Sequence, residues 1–234
     1  MKSKFFLLLA AAFILNSCKP LKVPLNKLDT LEKVTLFETS VDYFNRNPMK
    51  VNAGVLIKSQ SNQHITVTGI FDLTTGLLMK KELSAWAIQF KGNSYFNLGY
   101  SDDINHWNSY AKFDIEGRYS LIIIDDNSPP ILHYSSVSNG GGISGFIMSE
   151  SRKWGKNWRD EKGLKKKILI IDNKEIEPKF ISRHESSLGN YLTKKKFDEI
   201  VQEHKIETTN SNLKKISFLE LLKVFNKVNE QVEN

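Results

Sequence analysis

The sequence predicts an α+β fold, an antiparallel β-meander that closes into a sandwich or partial barrel and is followed by C-terminal helices. Three observations predict it. From Val51 to Ser135, β-branched and aromatic residues alternate with polar ones in runs joined by short turn signals, with no helical period between them. Lys167–Asp172 (KILIID) has the apolar density of a buried strand. Beyond Thr193 the apolar residues recur at helical spacing.

Taken in order, Leu31 to Phe44 is expected as a short helix, because Val34, Phe37, Val41 and Phe44 make a helical stripe, although VTLF within it is rich in strand formers. Val51–Lys58 and His64–Leu73 follow as strands about a Ser59–Asn62 turn. Glu82–Phe90 and Ser94–Tyr100 flank Lys91-Gly92-Asn93, a hairpin signal because Gly and Asn tolerate positive φ. Tyr110–Ile115 and Arg118–Asp125 flank Glu116-Gly117 in the same manner, and Ile131–Ser135 is expected as a seventh strand. Lys179–Ser182 reads as a strand beside Lys167–Asp172. The first C-terminal helix carries Phe197, Ile200, Val201 and His204 behind a cap at Thr193. The second opens with the capping box Ser217-Phe-Leu-Glu220 and buries Phe218, Leu221, Leu222, Phe225 and Val228.

The N-terminus has a different texture. Lys2 and Lys4 precede an apolar run of eleven residues, Phe5–Leu15, and then Asn16-Ser17-Cys18. Eleven helical residues rise about 16 Å, too short for a hydrocarbon layer of roughly 30 Å, so the pattern is that of a secretory signal. Leu15, Ser17 and Cys18 give this stretch the form of a lipobox, and residues 1–18 resemble bacterial lipoprotein precursors; Asn16, where a small residue is usual, departs from the pattern. The resemblance implies cleavage before Cys18, a diacylglycerol thioether on its sulfur, and a chain anchored in the bacterial cell envelope by acyl chains worth about 0.8 kcal/mol per buried CH₂. The same resemblance implies the outer membrane over the inner, because Lys19 stands after the cysteine where lipoproteins kept in the inner membrane carry an acidic residue. The alternative is a secreted protein with a leftover thiol. Residues 1–17 are thus expected as a signal peptide, 18–30, with Pro20 and Pro24, as lipidated cysteine and tether, and 31–234 as one globular domain.

Removing residues 1–17 lowers the formal charge from +7 to +5. Cys18 is the sole cysteine, so its lipidation leaves no thiol for disulfides, thiolate zinc sites or cysteine nucleophiles. The basic balance favours anionic neighbours such as phosphate headgroups or acidic glycans, and export argues against nucleic acid.

Arg152–Lys167 is the most distinctive stretch of the mature chain, with eight basic residues against two acidic ones and two tryptophans four apart. On a helix, Trp154 and Trp158 would share a face ringed by Lys153, Lys156 and Arg159, a patch suited to anionic glycan or phospholipid headgroups. The plainer reading places both indoles in the core and the lysines in a solvated rim. Gly140, Gly142 and Gly145 match the literal G-x-G-x-x-G spacing, but no strand–glycine–helix context accompanies them, and Phe146-Ile147 rather than Lys-Ser/Thr follows Gly145. Asp102, Asp103 and His106, and separately Asp125-Asp126-Asn127, are the candidates for hydrolytic or calcium chemistry at strand ends; residues of these types are also what turns are made of. No histidine pair has ligand spacing and no serine sits in G-x-S-x-G, so neither metal nor cofactor is expected. The function that remains is a lipid-anchored, non-enzymatic binding or accessory module for another envelope protein, with glycan or headgroup binding second and a hydrolase third.

Overall fold

The structure, a computed structural model, describes residues 22–79, 85–133, 158–175, 177–178, 185–208 and 216–233. Six strands close an antiparallel barrel: β1 (Glu32–Phe37), β2 (Ala53–Gln60), β3 (His64–Asp72), β4 (Ala87–Phe90), β5 (Asn93–Asn97) and β6 (Ser109–Lys112). The order around it is β1-β2-β3-β6-β5-β4, so it is two three-stranded meanders joined by β3·β6 and β1·β4 rather than one continuous meander. β1 achieves closure by dividing its length. Glu32–Val34 pair with β2, and Thr35–Phe37 pair with β4. Val34 and Leu36 therefore alternate into the barrel with Val55, Ile65, Val67, Ile70, Ile88, Phe90 and Tyr110, forming a dry interior.

The helix expected over Leu31–Phe44 is therefore corrected. A strand to Phe37 is followed by a five-residue helix, α1 (Ser40–Phe44), whose cap Thr39 accepts from the Asp42 N–H at 3.1 Å. The stripe Val34, Phe37, Val41, Phe44 had a helical period by coincidence; ladder pairing on both edges of β1 and the cap at Thr39 decide the outcome. The β4–β5 hairpin forms as expected, with Lys91 and Gly92 both at positive φ in its two-residue loop. Glu116-Gly117 does not join two barrel strands. The chain leaves the barrel there, and β7 (Tyr119–Asp125) enters a second sheet.

That sheet pairs β7 with β9 (Lys165–Asp172), whose other edge carries β12 (Gly189–Tyr191) and the two-residue β8 (Trp158–Arg159). A separate two-stranded ribbon pairs β10 (Glu177–Pro178) with β11 (Glu185–Ser186). The expected strand Lys179–Ser182, the start of Glu82–Phe90 and the run Gly140–Gly145 lie outside the described residues. Ile131–Ser135 is corrected where it can be seen: Pro130–His133 is one turn of helix, α2, in which Leu132 is buried beneath a Pro129 carbonyl that accepts its N–H.

The second sheet lies between two cores. Ile122, Ile124, Leu169 and Ile171 face the barrel's outer wall at Phe37, Ala87, Phe96, Ala111 and Phe113. Tyr119, Leu121, Ile168 and Ile170 face α3 (Lys194–Glu203) and α4 (Phe218–Glu233). β9 is covered on both sides, which explains why KILIID shows no polar alternation. Both helices start as expected: Thr193 Oγ1 accepts from Lys196 N, and Ser217 Oγ from Glu220 N, each at 3.1 Å. Phe197, Ile200, Leu221, Phe225 and Val228 are buried. The class is α+β, in three layers: barrel, sheet and helices.

β7 is an outer strand, yet its free backbone edge is occupied along its length. Asn229 of α4 accepts from Tyr119 N at 2.9 Å and donates to Tyr119 O at 3.0 Å and Glu116 O at 3.3 Å. Leu121 exchanges bonds with Ile115, Ile123 N donates to the Asp114 carboxylate at 2.6 Å, and Asp125 N donates to Ser128 Oγ at 2.9 Å. An exposed β edge is a template for another chain, and here its amides are taken.

Candidate functional site

A cleft of about 590 Å³ opens where the chain passes from barrel to sheet, lined by α1, the ends of β1 and β4, and the turn before β7. Its back wall is aromatic. Tyr43 packs edge-on against Phe37 and Phe44, each at 5.1 Å between centroids, and tilts against Trp86 and Phe113 at 5.4 and 5.7 Å. This wall is anchored deep. Trp86 is fully buried and donates its indole N–H to Ser187 O at 2.8 Å, while Ser187 N donates to Ser40 Oγ at 3.0 Å. α1 is thereby held to the loop before β12 although it makes only one turn of helix.

The polar groups come from four segments. The Tyr43 hydroxyl donates to the Glu116 carboxylate. Burial, reinforced by that bond, pushes the phenol's pKa well above its ordinary value, so the hydroxyl keeps its proton and its bond to Glu116. Arg46 follows the helix at φ 51°, a left-handed position just past a C-terminus; Asn47 closes the turn through its N–H to Asp42 O at 2.8 Å and its amide to the Asp42 carboxylate at 3.1 Å. Arg46, Gln89, Glu116 and Pro48 are exposed at the mouth, and Thr35 stands on β1 between them. One carboxylate, one guanidinium, one amide, one hydroxyl and one oriented phenol stand over an aromatic wall, polar groups converging on an apolar surface.

The residues singled out in the sequence fare differently. Lys153, Trp154 and Lys156 lie outside the described residues. Trp158 is corrected: it is 4% exposed, donates its indole N–H to Leu192 O at 3.2 Å, and packs edge-on against Phe197 at 5.5 Å. It lies on a strand, its ring serves the core beneath the helices, and it is withdrawn from any surface patch. Arg159, the next residue on that strand, is exposed and binds Gly163 O at 2.7 Å.

Asp103 has a structural task. Its carboxylate accepts from Tyr191 N at 2.7 Å, and Asp102 N donates to Gly189 O at 3.2 Å, stitching the β5–β6 connection to β12. Asp125 is likewise engaged, with Lys166 Nζ at 2.9 Å, Asn127 N at 2.9 Å and Ser128 Oγ at 3.3 Å; the lysine bond above all holds its pKa below the usual carboxylate range. Asp126 and His133 line a smaller cleft of about 360 Å³. Among the described residues no three His, Cys, Asp or Glu side chains gather closely enough to hold a metal ion. No helix among them is long and apolar enough to cross a membrane.

Tyr43, Arg46, Gln89 and Glu116 escaped the sequence reading as a group because Gln89 and Glu116 lie more than 40 residues beyond the Tyr43–Arg46 pair and meet it only when the barrel closes. The one local signal was Thr39 as a cap ahead of Tyr43. No protein-family model matches the chain, and comparison with the curated proteins and with the solved structures found no similar protein.

Proposed function

We propose that the chain is a lipid-anchored bacterial envelope protein whose folded domain is a non-enzymatic binding module, and that it engages a partner protein of the envelope at the cleft bounded by Tyr43, Arg46, Gln89 and Glu116. The observation that carries this reading is the cleft's chemistry. A buried phenol donates to an exposed carboxylate beside an exposed guanidinium, so donors and acceptors are held ready at the mouth while the aromatic wall supplies apolar contact. Such a surface suits a polypeptide segment presenting both amide and charged groups.

The test uses the full-length lipidated protein in cells, with a photoreactive amino acid placed in turn at Arg46, Pro48 and Gln89, and at Lys58 on the exposed end of β2 as control. Recovery of one defined envelope protein from the cleft positions, and not from Lys58, is expected. Equal recovery from Lys58, or none from any cleft position, would refute the cleft as the docking site. Turnover of a defined substrate by the purified protein would refute the non-enzymatic reading.

A further inference from the structure

The segment 18–30, expected as lipidated cysteine and tether, is packed against the domain from residue 22 onward. Lys22 bridges to Leu77, and Val23 N donates to Gly76 O at 2.9 Å, so from residue 22 onward the chain is fastened to the turn that follows β3. The fastening is built for close approach. Gly76 has φ +71°, and a Cβ there would lie 2.7 Å from Val23 O, so a side chain at this position would push the two segments apart. The turn itself is rigid, because the Asp72 carboxylate accepts from Thr74 N at 2.7 Å and Thr75 N at 2.8 Å, and Asp72 O accepts from Gly76 N at 2.8 Å. Pro24 then leads into a 3₁₀ turn, Leu25–Thr30, running directly into β1.

Four Cα–Cα steps separate residue 18 from residue 22, at most about 14 Å of chain. With Cys18 held at the lipid headgroups, the chain length keeps Lys22 within about 14 Å of the surface. The exposed side chains at this end of the barrel fit that position: Lys22 and Lys27 are cationic, Asp29 is the one exposed acid of the 3₁₀ turn, and Leu77 is a large apolar side chain left 38% exposed. Juxtamembrane lysines are drawn to anionic lipid, and apolar side chains to the interface below it. We infer that the domain is docked on the bilayer through its Lys22–Lys27 and Leu73–Leu78 segments, with anionic phospholipid headgroups as the partner of this surface. The inference rests on the lipid anchor of the proposed function, and it makes the domain a body of fixed orientation instead of one swinging on a leash.

The experiment uses the full-length lipidated protein in vesicles containing anionic phospholipid and a headgroup-spin-labelled phospholipid. A thiol-reactive fluorophore is attached at Thr75→Cys or at Asn62→Cys, exposed positions at opposite ends of β3, which are about 25 Å apart along the strand. The thioether consumes the sulfur of Cys18, and the intact mass of each preparation reports that modification. Several-fold stronger quenching at residue 75 than at residue 62, reduced by Lys22→Glu with Lys27→Glu, is the expected result. Equal quenching at the two sites in a preparation whose mass shows lipidated Cys18 would overturn the docking. A mass showing unmodified Cys18 would overturn the anchor itself, and the docking with it. Hydrogen exchange of the unsubstituted protein, with and without vesicles, checks the same claim independently of the variants: residues 73–78 gain protection if docked, and unchanged exchange there counts against it.

Discussion

Asn229 offers a sharp test of how the three layers are held together. Its side-chain amide reaches from α4 to the turn before β7 and makes three bonds there, with Tyr119 N, Tyr119 O and Glu116 O. It is 6% exposed, and Gly117, at φ +145°, leaves the space it fills; a Cβ on Gly117 would lie 2.5 Å from Asn229 Cγ. Truncation by Asn229→Ala removes all three bonds and leaves buried backbone groups without partners. Net bonds are worth about 1 kcal/mol each, and a stranded buried group costs about 1–3 kcal/mol, so a loss of about 2–4 kcal/mol is expected. Against a typical total of about 5–15 kcal/mol this is large.

Asn229→Asp sharpens the argument. As a carboxylate it still accepts from Tyr119 N but confronts two carbonyls; once protonated, it can donate again. The folded-state pKa of the introduced acid must therefore lie above its unfolded value of about 3.9. The sign follows: the folded state binds the extra proton, so the variant loses stability as pH rises from about 4 through that raised pKa, and recovers toward acid. Urea unfolding of a soluble form beginning at Lys19, followed by tryptophan fluorescence at pH 4 and pH 7 beside the parent, measures both effects, and unchanged m-values license the comparison. An alanine variant within about 0.5 kcal/mol of the parent, or an aspartate deficit independent of pH, would refute the reasoning; the first value is what ordinary surface changes produce.

Three other outcomes are expected. His64, buried on β3 near His106, has its pKa lowered by that burial to about 4, so stability is full above pH 6.5 and falls by about 3 kcal/mol as pH drops to 4; His64→Gln should flatten that part of the pH–stability curve. Trp158→Ala should cost about 3–5 kcal/mol in the same unfolding assay, while leaving any salt-sensitive binding to acidic glycan per folded molecule unchanged, because the indole is core. Gly76→Ala should destabilise by about 1–2 kcal/mol and speed hydrogen exchange at the Val23 amide, since it forces apart the pair that fastens the N-terminal segment.

Strands with their own alternation and turns, such as His64–Asp72 and the Lys91-Gly92 hairpin, could be read locally, as could both capped C-terminal helices. What could not be read depends on non-local pairing. Nothing in EKVTLF says that one strand will serve two partners, and nothing in Glu116-Gly117 distinguishes a hairpin turn from the passage between two sheets. Trp158 shows the same limit at the site. Its basic surroundings suggest a surface, yet the ring turns inward while Arg159 turns out, because strand neighbours face opposite sides. The cleft groups carry no shared spacing, so their meeting is a property of the closed barrel.

The barrel is contiguous in sequence, running from Glu32 to Lys112, whereas β7 must wait about 40 residues for β9. As the chain emerges, the barrel can complete itself while YSLIIID has no strand on its inner side, and such a segment is prone to pairing with its own kind. Asp114, Ile115 and Ser128 all flank β7 closely in sequence, so three of its four edge guards are present from the start. Only Asn229 arrives last. The nascent chain thus shields one side of its most vulnerable strand before the other has a mate, which makes Asp114→Ala a lesion in yield more than in final stability.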